Sequence, residues 1–144
     1  MILEIGTCGI TAEEVIHALE TEPTCILATC ACNQVSVRPM SHVSDGVTVF
    51  FQTGKDYLKT RQIRANPNVA LCVGTYQIEG TAVETGHPLA EGNELFARLI
   101  KAKHPDAYAH WSALEDEVVI KVTVGRVRQW RYVEGQPVLA EAEF

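Results

Sequence analysis

The sequence has no apolar run approaching the ~20 residues that a membrane-crossing helix needs, so a spanning protein is not expected. Met1 to Gly6 carry neither the basic region nor the apolar stretch of a signal peptide, and a cytoplasmic location is expected. No G-x-G-x-x-G follows a strand pattern, which argues against a Rossmann nucleotide site. There is no C-x-x-C, and the five histidines (His17, His42, His87, His104, His110) form neither H-x-H nor H-x-x-x-H. No metal site is expected on that spacing. No Ser-His-Asp or Cys-His arrangement stands out either, so no side-chain nucleophile and no catalytic residue is assigned. Positive charge is scarce: 12 Lys and Arg stand against 18 Asp and Glu, a net charge of −6. Sequence-independent nucleic-acid binding is therefore not expected.

What is present reads as an ordinary globular chain. Its 144 residues are 47% hydrophobic and 21% charged, close to the average for one folded domain, and no linker, repeat or charge block divides it. The five cysteines (Cys8, Cys25, Cys30, Cys32, Cys72) are an odd number and cannot all pair within one chain. They read most simply as small buried hydrophobes in a reducing compartment. Cys30 and Cys32 would share one face of a strand.

Thr11 followed by Glu13 and Glu14 has the form of a capping box, and it predicts a helix that ends before Pro23. From Cys25 to Phe51 the pattern turns to Val, Ile, Phe and Thr, which predicts strands at 25–32, 35–43 and 47–53. Asn33-Gln34 and Asp45-Gly46 would join them. Pro39 cannot donate to a ladder, so the second strand should be bulged or at an edge there. A short helix is predicted over 55–65, stopped by Asn66-Pro67. Strands follow at 69–73 and 77–84, then a helix at 89–103 ending before Pro105. A long strand or bent strand pair spans 117–133, with Val118, Ile120, Val122, Val124 and Val127 facing inward. About six strands in short-turn antiparallel order, with three helices, point to a closed or split β-barrel rather than a doubly wound sheet.

Residues 55–64 hold four bases and one acid, whereas the remainder holds eight bases and seventeen acids. With 3.6 residues per helical turn, Lys55, Lys59 and Gln62 fall on one stripe, with Leu58 and Ile63 to either side. A helix N-terminus favours an anion, and Thr53 adds a hydroxyl. This grouping reads either as a phosphate cradle or as a solvated basic face. Arg38, in the middle of a predicted strand, needs solvent, a partner or a ligand. It is well suited to a phosphate or a polar heterocycle edge, with Ser36, Met40 and His42 on the same side.

Ile26-Leu27-Ala28-Thr29 and Val35-Ser36-Val37-Arg38-Pro39-Met40 together resemble the first hairpin of a known family. It is the flavin-binding split β-barrel proteins related to pyridoxamine 5′-phosphate oxidase. Val49 to Lys55, then Lys59-Thr60-Arg61-Gln62-Ile63 and Asn66 to Leu71, resemble its phosphate-binding strand, helix and following strand. Ile78-Glu79-Gly80-Thr81-Ala82 resembles the next strand. The resemblance implies a mainly β (α+β) fold, a six-stranded antiparallel split β-barrel with three inserted or flanking helices. Residues 1–144 would form a single domain binding FMN non-covalently, with the flavin at the interface of a homodimer. By position, Arg38, Pro39 and Met40 would lie along the isoalloxazine and ribityl chain, with Gln52 and Thr53 near the ribityl and phosphate. Lys55 and Lys59 would hold the phosphate, and Gln62 would approach the flavin across the dimer.

Two departures narrow the expectation. Leu58 stands where the family usually has an arginine, and residues 135–144 lack the arginine-containing segment that grips substrate in the true oxidases. Vitamin B6 oxidation is accordingly not expected. An FMN-dependent oxidoreductase acting on an unknown small molecule is, with Trp111 or Trp130 beside the cleft or in packing. The alternatives are a non-catalytic flavin-binding or stress-related module, and a barrel holding haem or a deazaflavin against His42 or His87.

Overall fold

The structure, a computed structural model, describes residues 6–144. Among them are nine strands and four helices. Chain order is β1 (Gly6–Gly9), α1 (Ala12–Thr21), β2 (Thr24–Ala31), β3 (Gln34–Ser41), β4 (Val43–Asp45) and β5 (Thr48–Gly54). Then come α2 (Leu58–Ala65), β6 (Asn68–Val73), β7 (Tyr76–Gly86), α3 (Glu94–Lys103), α4 (Pro105–Trp111), β8 (Glu117–Val133) and β9 (Gln136–Glu143). None of the described helices is long and apolar enough to cross a membrane.

The strand pairings explain why the expected count of six is exceeded. β2 pairs antiparallel with both β3 and β6, and β6 continues through β7 to β8. β5 takes the first half of β8, from Gly54↔Glu117 to Val49↔Val122. β9 takes the second half, from Arg126↔Glu143 to Val133↔Gln136, and β1 lies parallel to β9. The sheet is therefore mixed, not wholly antiparallel. β3 and β4, separated only by His42, link β2 to β5, so the pairings run in a circuit through β2, β3–β4, β5, β8, β7 and β6.

Local chemistry accounts for the element ends. The capping box forms as expected: the Thr11 hydroxyl accepts from Glu14 N, and the Glu14 carboxylate accepts from Thr11 N. The first hairpin turns at Cys32-Asn33 rather than Asn33-Gln34, with φ of 50° and 62°. Positive φ at both central residues is the turn that matches strand twist, and it removes Cys32 from the strand that carries Cys30. Pro39 lies on β3, an end strand in the order of the sheet. Pro105 opens α4 instead of only ending α3, because a proline at the first helical position loses no hydrogen bond. Of the cysteines, Cys25 is buried, Cys8 and Cys30 are half-buried, and Cys32 and Cys72 are exposed.

The main core joins Leu19 of α1 to Leu27, Phe51, Ile78, Ile120 and Val122 inside the strands. Ile120, Val122 and Val124 point inward by period two, and Val127 joins them through a bulge at Gly125 that resets the alternation. Val119, on the opposite side, packs with Val43, Phe96 and Ile100 in a second cluster that seats α3.

Candidate functional site

α2 is the element that differs most usefully from expectation. It starts at Leu58, not near residue 55, so Lys55 precedes the helix and is not on a stripe with Lys59. Lys55 instead forms an exposed ion pair with Asp116 at 3.1 Å, and this raises its pKa. Lys59 turns inward. Its Nζ donates to Thr53 Oγ1 at 3.1 Å and stands 5.0 Å from the Tyr57 ring centroid. That ring lies over Gly54, where any Cβ would come within 2.8 Å of it.

Around Lys59 is an open cleft of about 250 Å³. Pro39, Met40 and Ser41 of β3 form one side, and Gln52 and Thr53 of β5 with Glu117 of β8 form the floor. Tyr57, Ala107 and Trp111 wall the remainder. Five of the eight expected site residues thus line one cleft: Pro39, Met40, Gln52, Thr53 and Lys59. Gln52 is engaged within the chain, accepting from Ser112 Oγ at 2.8 Å and donating to Ala107 O at 3.4 Å, which fastens α4 to β5. Gln62 is 3% exposed, and its amide is held among Thr29, Gln34 and Ser36.

Arg38 is not among the residues that line the cleft, but its charge acts on Lys59 from beside it. Burial and the nearby Arg38 charge push the Lys59 pKa down, while Glu117 opposes that shift. Burial likewise lowers Arg38. Among the described residues neither cation has a carboxylate within 4.0 Å, although six other Lys or Arg ion pairs form. Glu117 is 7% exposed, and burial raises its pKa, with the His87 and Lys59 charges opposing that shift. The set can bind an anion at Lys59 with the Arg38 charge nearby, donate the Thr53 hydroxyl proton to it, and stack a flat apolar group against Trp111.

Sequence reasoning missed Tyr57, Ala107 and Glu117. Glu117 is the last of three consecutive acids, Glu115-Asp116-Glu117, so nothing local marks it off from its exposed neighbours. Trp111 does border the cleft and is 52% exposed, whereas Trp130 is half-exposed on the far half of β8. His42 is fully buried, with Nε2 2.9 Å from Leu19 O, and His87 uses Nε2 on Leu114 O and Nδ1 on Leu89 N. Neither histidine lines the cleft. No group of three or more His, Cys, Asp or Glu converges on a metal position among the described residues.

A family model described as pyridoxamine 5′-phosphate oxidase matches residues 11–131. The chain belongs to that family. Solved structures share the pyridoxamine 5′-phosphate oxidase-like fold at low identity. General Stress Protein 26 from Bacillus anthracis is 17% identical with a TM-score of 0.65, over 81% of this chain and 90% of that one. A FAD-binding protein from Mesorhizobium loti is also 17% identical at 0.65, covering 82% and 92%. A heme binding protein from Mycobacterium smegmatis is 14% identical at 0.71, covering 94% of this chain and 59% of that one. None of the curated proteins matches the chain. At these identities the structural likeness carries the fold alone.

Proposed function

We propose that this protein binds FMN in the Lys59 cleft and acts as a flavin-dependent oxidoreductase on a small molecule. The observation that carries the reading is the pair of half-buried cations, Arg38 and Lys59, without an acidic partner among the described residues. Two like charges in a poorly solvated place are unfavourable until an anion joins them, and a phosphate meets that need. Thr53 donates its free hydroxyl proton to the same phosphate. Met40, Pro39 and Trp111 offer apolar walls to a flat ring system. Bound FMN supplies hydride and electron transfer, and the protein supplies binding, orientation and electrostatics. Lys55, tied to Asp116 outside the cleft, contributes long-range attraction only.

We read the circuit of strand pairings as the split barrel, with β1 and β9 added to it. The functional unit in this proposal is a homodimer. A cleft of about 250 Å³ falls below the usual range of ligand pockets, roughly 300–1,000 Å³, so one chain covers part of the ligand. Val35, Val37 and Ile26 are 73%, 64% and 42% exposed on the outer face of β2 and β3, and Pro39 joins that face to the cleft. A second copy covering this apolar face would also close the cleft.

Titrating the purified protein with FMN, riboflavin, a deazaflavin and haem, each followed by its visible spectrum, tests the reading. Tighter binding of FMN than of riboflavin is expected, together with a dimer by ultracentrifugation. A Soret band with no FMN uptake would overturn it. Turnover of reduced nicotinamide in the FMN-loaded protein separates an enzyme from a non-catalytic flavin carrier.

A further inference from the structure

Lys59 in the cleft and Arg38 beside it, close enough for its charge to act on Lys59, are braced differently. Lys59 donates to Thr53, whose own hydroxyl proton has no partner among the described residues. Arg38 Nη1 donates to Thr29 Oγ1 at 2.8 Å and to Leu27 O at 3.4 Å. Thr29 then donates its proton to Gln62 Oε1 at 2.5 Å, and Gln62 Nε2 donates to Gln34 O at 3.0 Å. Thr29 and Gln62 are 2% and 3% exposed.

Every direction in this chain is forced. A guanidinium only donates, so Thr29 must accept from Arg38 and send its single proton onward. Gln34 O only accepts, so the Gln62 amide nitrogen faces it and the oxygen faces Thr29. The β2–β3 hairpin does not need this tie, since its ladder already runs unbroken from Thr24↔Ser41 to Ala31↔Gln34. What the chain adds is a fixed guanidinium. Arg38 would otherwise swing away from Lys59, because the two charges repel and the arginine stem is flexible.

Resting on the FMN reading above, we propose that Thr29 and Gln62 are positioning residues for the phosphate. Through them α2 holds Arg38 in register with Lys59, so that both cations meet one anion without reorganisation on binding. Neither residue touches the ligand. Thr53 is the hydroxyl left for the ligand, and Thr29 is the one spent on the brace.

The test compares FMN with riboflavin, which lacks only the phosphate, in the wild type and in Thr29→Val, Thr29→Ser and Gln62→Met. Thr29→Val is expected to weaken FMN about ten-fold and riboflavin by less than about two-fold, by loss of one charge-assisted contact. Gln62→Met should show the same selectivity loss, and Thr29→Ser should restore the wild-type ratio. In the ligand-free proteins, the Arg38 side-chain Nε–H resonance should be distinct in the wild type and motionally averaged in Thr29→Val. Equal losses for both flavins, or no loss, would make the brace purely structural and sink the proposal. If the wild type itself fails to prefer FMN, the FMN reading falls, and the Arg38 resonance alone decides the positioning role.

Discussion

The two ends of β8 treat positive charge in opposite ways. On the hairpin half, Arg126 pairs with Glu143 at 3.2 Å, and Arg128 with Glu141 at 2.7 Å and Glu79 at 3.3 Å. Arg131 meets Glu14 of α1 there too. On the cleft half, Lys59 and the neighbouring Arg38 have no ion pair among the described residues, and burial raises the pKa of Glu117, the acid whose charge acts on Lys59. The hairpin satisfies its arginines on folding. Arg38 and Lys59 are left without such partners, which is the difference on which the proposed phosphate site rests.

The most direct way to break the comparison is to remove both cleft cations. Arg38→Ala with Lys59→Ala should weaken FMN by about 3–6 kcal/mol, at roughly 1.5–3 per charged contact, while riboflavin binding changes little. Calorimetry reads this, and an unchanged FMN affinity would return both residues to the class of solvated surface charges.

Lys103 sharpens the contrast, being a cation satisfied by neither acid nor ligand. It donates to Leu19 O at 2.9 Å and Glu22 O at 2.8 Å, with His42 Nε2 at 3.3 Å. Burial first, then the Lys103 charge, hold His42 down to about 4. A histidine depressed in the fold resists a proton that the unfolded chain accepts. Stability should therefore be complete above the ordinary histidine range and should decline as pH falls from about 6.5 toward 4, by about 3 kcal/mol in all. Urea melts of wild type and His42→Gln across that window measure it; a parallel decline in both would assign the acid loss to other groups.

Glu117 offers a smaller test. Its pKa is raised, so the carboxylate ionises as pH rises through the shifted value and then opposes a phosphate beside Lys59. Glu117→Gln should tighten FMN about ten-fold where the wild-type carboxylate is ionised and leave the affinity unchanged at lower pH, where it is protonated. An identical pH profile in the variant would show that Glu117 does not face the ligand. Least of all, Arg128→Ala should cost under about 1 kcal/mol of stability and nothing in FMN affinity, as exposed ion pairs do. A loss of FMN binding there would contradict the division between the two halves of β8.

Most of this arrangement was legible in local pattern, because strands β2, β5 and β6 bury alternate residues and announce it in period two. β9 was not. Its turn is Glu134-Gly135, with φ of 53° and 77°, and glutamate is an uncommon residue for a left-handed position. β1, with glycine at both ends, has little side-chain pattern to read. In the site, Arg38, Thr53 and Lys59 were identifiable from charge placed among apolar neighbours. The departure of Lys55 was hidden, because Tyr57 stands at the helix start and has no side-chain cap bond to signal it. Glu117, Ala107 and Trp111 reach the cleft only through the β5–β8 pairing and the Gln52 link to α4. Contacts of that kind depend on tertiary folding and leave no local periodicity.

Gly54 carries a consequence for how this cleft could be reshaped. Because the Tyr57 ring occupies the space a Cβ would need, one methyl group at position 54 would displace that ring, which itself walls the cleft. The width of the cleft is then adjustable from behind its wall. A single small substitution would reshape the wall that Tyr57 forms and shift the ring that stands against Lys59 Nζ.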